Sequence, residues 1–466
     1  LRFFSKKKGF PPHPARMTRA SLLDAAAEAY AAGRLPDAEA AYRAMLNQDS
    51  RDAEALSNLA AVLTATNRPE EAEAACRAAL QVRPRYWAAL ANLGNALHRQ
   101  MHYPEAINAY HAAVEANPRN AAAWTNLGVA LNERWDMDNA LIAHAAAAAL
   151  APTDAQIRTN RAMALLMAGQ YNEGFLEFEW RWQTPGMAPH GLTQPQWHGA
   201  DPAGQTILVH AEGGFGDTLQ FIRYAPLLAS RGAQILARVQ APLLRLLRRN
   251  YPAITFIDDG TPPHDVHCPM LSLPAAFGTT VQTIPATTPY LRADPLACDA
   301  WRDQLSALGP GPKIGLVWQG AAHFGVPAFR AMNHRRSIPM AALAPLGGLA
   351  GVHLISLQAG RSAAPQPGMA LFDPMADVVD FDDTAAIIAN LDLVISVDSA
   401  VAHLAGALGK PVWVLSRFDT CWRWLAHRTD SPWYPLLRLY RQATPGDWDG
   451  VLTRVVTDSK GKYVLF

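Results

Sequence analysis

A period of 34 residues runs through the first third of the chain and constrains its fold more than any other feature. Small residues stand at Ala60, Gly94, Gly128 and Ala162, and again at Ala38, Ala72, Ala106, Ala140 and Gly174, each 34 from the last. Pro84, Pro118 and Pro152 keep the same step, with Ser50 in the earlier place. Self-similarity at a short fixed period means stacked copies of one supersecondary unit, none of which buries its apolar face alone. Small residues mark where two helices of a hairpin approach closely, and proline closes the second helix. Tyr42, Tyr110 and Phe178 are the bulky residues that fill the remaining gaps. Four units run from about Asp24 to Pro152. A fifth, Thr153 to Trp182, is decayed and reads as the cap that joins the array to the rest of the chain.

The pattern resembles the tetratricopeptide repeat, an α-solenoid whose concave groove takes a peptide or a protein. The expected array covers residues 17–182. Before it, residues 1–16 carry Lys6, Lys7 and Lys8 with no apolar run behind them, which reads as a flexible arm and not as a signal peptide.

Composition narrows the remaining classes. Half of the 466 residues are hydrophobic and 17% are charged, enough for packed cores. The 41 Lys and Arg against 40 Asp and Glu leave no basic excess for a nucleic-acid backbone. Cys76, Cys268, Cys298 and Cys421 lie far apart with no C-x-x-C pair, so neither a zinc site nor a disulfide framework is expected, and a reducing cytoplasm is. No apolar run reaches the ~18 residues of a membrane span.

After Trp182 the pattern changes. Residues 183–205, rich in Pro, Gly and His, read as a connector. Residues 206–210 form a buried-strand run, followed by a glycine loop and a helical pattern from Asp217. Strands at 234–239 and 255–257 with a helix at 243–250 complete a first α/β domain over 206–300. A second, over 301–456, holds strands at 313–318, 352–357, 391–397 and 411–415, with helices at 384–390 and from about Ser399. Residues 448–456 read as a terminal helix; the tail 457–466 carries no signal. Alternation of this kind builds parallel sheets covered by helices, and ligands sit at the C-terminal strand ends. The loops after His210, Trp318, Val397 and Leu415 should therefore line one cleft.

Two motifs lie on those loops. In Glu212-Gly-Gly-Phe-Gly-Asp217-Thr218-Leu-Gln220, Gly214 and Gly216 let a ligand approach the backbone at a helix start. Asp217 equally suits a helix cap, with Gln220 completing a capping box. The two roles compete, because a carboxylate bound to amides is a weaker base. In Asp398-Ser399-Ala-Val-Ala-His403, the strand end delivers Asp398 to the cleft and the free amides from Ser399 suit a phosphate. A capped helix with a satisfied histidine explains the same residues. A third cluster holds Arg417, Trp422, Arg423, Trp424, Arg428, Trp433, Tyr434, Arg438, Arg441 and Gln442, fit either to grip a base and an anionic sugar or simply to pack.

Residues 196–455 resemble the heptosyltransferase-like glycosyltransferases through Gly216-Asp217, through Asp398, Ser399 and His403, and through Lys410-Pro411. With the repeats in front, the layout resembles bacterial TPR-linked glycosyltransferases, some of which modify flagellin, and is similar to O-GlcNAc transferase. Arg336-Ser-Ile-Pro339, Asp380-Phe-Asp-Asp-Thr384 and Trp422-Arg-Trp424 carry the likeness to the TPR-linked group. Ala400 stands where heptosyltransferases usually have glycine, so no heptose donor is inferred.

The resemblance implies an α-solenoid followed by a GT-B fold of two Rossmann-like domains. It implies an inverting transfer from a nucleotide sugar, with Asp217 as the base and His210 and Glu212 as local alternatives. Gly214, Gly216, Arg336 (with Arg335), Asp398, Ser399 and His403 would hold the donor. Gln319, Arg417, Trp422 and Arg423 would add donor or acceptor contacts. Neither a metal nor a cofactor beyond the nucleotide-sugar co-substrate is expected; Asp380-Phe-Asp382 resembles a metal-binding D-x-D but reads as a loop or cap. The leading expectation is a cytoplasmic protein O-glycosyltransferase acting on Ser or Thr of a protein held by the repeats. Its rivals are an enzyme for lipid-linked or polysaccharide acceptors with the repeats as an assembly scaffold, and an inactive adaptor that senses nucleotide.

Overall fold

The structure, a computed structural model, describes residues 18–187, 190–320, 327–360 and 368–463, with only the backbone described at 327–331 and 462–463. The arm at 1–16 lies outside the described residues. The chain divides into two compact units, Leu1–Pro152 and Thr153–Phe466.

The first unit is a run of helix hairpins: α1 (Arg19–Ala31) with α2 (Leu35–Gln48), α3 (Ala53–Ala65) with α4 (Pro69–Val82), α5 (Trp87–Arg99) with α6 (Tyr103–Ala116), and α7 (Ala121–Glu133) with α8 (Met137–Leu150). The period reaches the backbone itself. Each hairpin turns through a left-handed residue, at Gly33, Asn67, Met101 and Trp135, with φ of 72°, 61°, 61° and 66°. Asp52 and Asn120, two periods apart, cap α3 and α7 through side-chain oxygens 3.1 Å from backbone amides. The small residues do what their spacing predicts. A Cβ on Gly94 would collide with the Tyr110 ring, so only glycine lets α5 and α6 close over that tyrosine. Cys76 and His144, both buried, hold the Tyr110 phase in the neighbouring hairpins.

The second unit opens with one more hairpin, α9 (Ala155–Met167) and α10 (Tyr171–Phe178), ending in a 3-10 turn at Glu179–Gln183. Asp154 caps α9, and Gly169 supplies the left-handed turn with φ of 80°. This hairpin packs on the α/β part. The Tyr171 and Phe175 rings lie 6.2 and 5.5 Å from that of Trp422, and Trp433 Nε1 donates to the Tyr171 hydroxyl at 3.0 Å.

Two parallel sheets come next. The first has β1 (Thr206–His210), β2 (Gln234–Arg238), β3 (Thr255–Ile257) and β4 (Val266–Pro269) in the order β3-β2-β1-β4. The second has β5 (Lys313–Val317), β6 (His353–Ser356), β7 (Leu371–Phe372), β8 (Leu393–Val397), β9 (Val412–Ser416) and β10 (Leu437–Arg441) in the order β10-β9-β8-β5-β6-β7. Every residue of β8 and β9 is buried, as expected of central parallel strands covered on both faces. The periodicity did not reveal β4, β7 or β10: Val266–Pro269 and Leu371–Phe372 are too short to show a pattern, and β10 interleaves Arg438 and Arg441 with its apolar residues.

Helices α11 (Phe215–Phe221), α12 (Ala225–Ser230), α13 (Leu244–Asn250) and α14 (Leu273–Ala276) accompany the first sheet. With the second come α15 (Pro295–Ser306), α16 (Pro327–Arg336), α17 (Phe381–Ala389), α18 (Ala400–Ala407) and α19 (Trp448–Tyr463). The terminal helix α19 thus runs past Val456. Among the described residues, no helix is long and apolar enough to cross a membrane.

Candidate active site

The four expected loops meet through named contacts. After β1 the chain turns at Gly213–Gly214 into α11. Asp217 sits one turn in, and its Oδ2 accepts from the Gly214 amide at 2.8 Å, closing the helix start. Its Oδ1 is ion-paired with Arg423, in the 3-10 turn Trp422–Trp424 that follows β9. The cap therefore forms, through Gly214 and not Gln220. Gln220 Oε1 instead accepts from Arg423 Nε at 2.8 Å.

Helix α11 crosses α18 at Gly216. A Cβ there would lie 2.8 Å from His403 Cδ2 and 3.5 Å from Ala400 Cα, so the starts of the two helices face the same region. His403 is buried, stacked on Trp424 with ring centroids 5.4 Å apart, and its Nδ1 lies 2.9 Å from the Tyr434 hydroxyl. Burial, aided by Arg423 and Arg223, pushes its pKa well below the ordinary histidine value and keeps the imidazole neutral.

After β8, Ser399 stands at the N-cap of α18, but its hydroxyl meets Ser396 Oγ at 2.8 Å instead of capping. Asp398 turns its backbone carbonyl to Arg336 Nη1 at 3.3 Å. Arg336, at the end of α16, is half-buried. Its remaining bond is from Nε to Asn333 Oδ1 at 3.0 Å, and no carboxylate among the described residues pairs with it. Burial lowers its pKa, Arg417 adds to this, and Asp398 opposes it. Gly320, after β5, makes room for this arginine, since a Cβ there would collide with Arg336 Nε. After β9, Arg417 shares Asp419 with Arg335, each at 3.0 Å. Gln319 donates its backbone amide to Gln358 Oε1 at 2.9 Å.

Other candidates stand elsewhere. Glu212 is buried in a two-pronged ion pair with Arg181 of the cap turn, both contacts at 2.9 Å, and accepts the Leu271 amide at 2.9 Å. Its carboxylate is spent on tying the last repeat to the first sheet, which argues against a role as base. His210 Nε2 lies 3.2 Å from His267 Nδ1, with the His190 ring over His267 at 4.3 Å. Burial, then His267, Arg238 and His190, push its pKa down to about 3, a poor proton acceptor. Trp422 is buried between Tyr171, Phe175 and Phe221 and offers no open ring face for a base. Lys410 Nζ is a strut, donating to the Ala389 and Leu391 carbonyls at 2.6 and 3.1 Å. Asp380 caps α17 and, with Asp382 and Asp383, pairs with Arg245 and Arg249 of α13. Among the described residues no three His, Cys, Asp or Glu side chains are grouped to hold a metal ion.

Three residues of the site escaped the motif reading. Gly320 and Asn333 shape the Arg336 pocket, and Asp419 joins Arg335 to Arg417. Only Gly320, in the loop after β5, carried a readable signal.

Comparison with known proteins finds likenesses in both parts of the chain. Residues 29–93 and 91–155 match tetratricopeptide repeat families, and residues 374–415 match glycosyltransferase family 9 (heptosyltransferase). Protein FlbA of Caulobacter vibrioides is 29% identical over 329 residues, covering 64% of this chain and 53% of FlbA. The chain thus spans about half the length of that curated relative. Among solved structures, the TPR protein TTC0263 of Thermus thermophilus is 21% identical with a TM-score of 0.33, covering 36% of this chain and 92% of its own. PilF of Pseudomonas aeruginosa is 20% identical with a TM-score of 0.36, covering 50% and 92%. Tetratricopeptide repeats in front and a family 9 glycosyltransferase segment behind make this chain similar to the TPR-linked glycosyltransferases.

Proposed function

We propose that the chain is a protein O-glycosyltransferase that moves a sugar from a nucleotide sugar to Ser or Thr of an acceptor bound by the repeats, with inversion and without a metal. The observation that carries the reading is Arg336: a half-buried guanidinium in no ion pair among the described residues, bonded to the Asp398 carbonyl beside the start of α18. A cation held in that way suits a leaving phosphate, and the α18 amides add oriented dipoles. The two parallel α/β lobes, touching where α11 meets α18, are what a GT-B enzyme requires.

In the reaction, the acceptor oxygen bonds to the anomeric carbon as the carbon–oxygen bond to phosphate breaks, its electron pair leaving on the phosphate. Asp217 takes the acceptor proton. Repeats that hold the acceptor raise its effective concentration, and positioning supplies much of the rate.

Incubation with a panel of nucleotide sugars and acceptor proteins, flagellin first, should add one sugar mass per modified residue. Asp217→Ala should lower the rate at least about 100-fold. Transfer at an unchanged rate by that variant would remove Asp217 from the role of base, and transfer to glycan but never to protein would overturn the acceptor class.

A further inference from the structure

Both oxygens of Asp217 are engaged, in different ways. The Gly214 contact belongs to the helix start on which Asp217 sits. The Arg423 contact joins residues 206 apart in the chain, from one lobe to the other. Arg423 has a fixed seat: its guanidinium lies 4.4 Å over the Trp422 ring, Nε donates to Gln220, and Nη1 lies 3.2 Å from Cys421 Sγ. From that seat it offers Nη2 to Asp217. The Asp398 carboxylate lies in the fields of both Arg423 and Arg336. One anionic group can thus lie within the fields of both arginines.

The oxygen of Asp217 that is not tied to its own helix start is thus taken by a guanidinium, which stands where an incoming hydroxyl would have to bond. A transferase built this way leaves both water and acceptor hydroxyls unactivated until something draws Arg423 off. The geometry points to Arg423 as a gate on the base: it masks Asp217 Oδ1, and the phosphate of an arriving nucleotide sugar takes over the guanidinium and frees that oxygen. Arginine suits the exchange, because its planar fork binds carboxylate and phosphate alike. The pair is also within reach of solvent, with side chains 13% and 24% exposed. This inference rests on the donor site proposed above. Once freed, Asp217 accepts the acceptor proton as the new carbon–oxygen bond forms and the phosphate departs with the electron pair of the old one.

Competition for one arginine has a signature in binding alone. The probe is the nucleoside mono- or diphosphate that most raises the melting temperature of the full chain, titrated by calorimetry. Asp217→Asn should tighten its binding about tenfold by releasing Arg423, and Arg423→Gln should weaken it by a similar factor. In the double variant, Asp217→Asn should bring no further gain. A gain that persists undiminished in the Arg423→Gln background is through-space repulsion between carboxylate and phosphate, and overturns the gate. So does an Asp217→Asn variant that binds no more tightly than the parent.

Should Arg423→Gln fail to fold, the parent protein labelled with 13C at aspartate carboxyls decides. The Asp217 resonance, identified by its loss in Asp217→Asn, should shift on adding nucleotide, and a resonance that stays put overturns the gate. Failure of the donor site itself looks different: no nucleotide binds, or Arg336→Ala leaves binding unchanged, and the gate falls with it.

Discussion

Gly216 and His403 meet where the two sheets' helices cross, at a distance that admits no side chain on the glycine: a Cβ would stand 2.8 Å from His403 Cδ2. The backbone of Gly216 is not left-handed, so its constraint is steric. Gly216→Ala should therefore cost about 1–3 kcal/mol through overpacking. Gly214→Ala, whose Cβ would find only Asp217 Oδ2 at 3.9 Å, should cost under about 1 kcal/mol. Urea unfolding of the two variants checks the contrast; equal losses would mean that the crossing is looser than described.

Arg336→Ala separates binding from stability. Among the described residues no ion pair is broken, so removing the guanidinium should change stability by less than about 1 kcal/mol. Nucleotide affinity should drop about 10- to 100-fold, as expected for a charge-assisted contact to phosphate. Calorimetric titration alongside a thermal melt reads both quantities from one preparation.

Glu212→Gln should act in the opposite sense. It leaves Arg181 buried with a weakened partner set, at a cost of about 3 kcal/mol. Replacing both ends, Arg181→Met with Glu212→Leu, should recover more than half of that loss, because the desolvation of both charges disappears together. Chemical denaturation of the single and double variants provides the measurement.

Acid should weaken the second unit through its histidines. Burial pushes His210 down to about 3 and His267 to about 4, whereas an unfolded histidine takes up its proton near 6.5. Between those values the unfolded chain binds more protons, so stability falls as pH drops below 6.5 and the loss is complete only near pH 3. At pH 5 each ring should have cost about 2 kcal/mol. His267→Asn should flatten the slope between pH 7 and 5; an unchanged slope would place its origin elsewhere.

The repeats were legible because their period is written in residues that must be small, and Gly94 against Tyr110 shows why they must. The glycine loop and the Ser399 helix start were legible for the same kind of reason: local backbone geometry leaves a local mark. Partners far along the chain leave none. Nothing near Glu212 announces Arg181, and nothing near Asp217 announces Arg423, so a buried ion pair and a masked carboxylate both read as candidate bases. Trp422 left stacking and packing both open, because an exposed tryptophan and a core tryptophan read alike in one dimension.

The left-over repeat has a bearing on how such chains can be rebuilt. Its tyrosine and phenylalanine are seated among the tryptophans of the α/β body, and the compact-unit boundary falls ahead of it, after Pro152. Grafting a foreign array at residue 182 would tear that aromatic seat away. A splice at the Pro152–Thr153 junction would spare it, leaving whole upstream modules free to be swapped for others of different reach or taste.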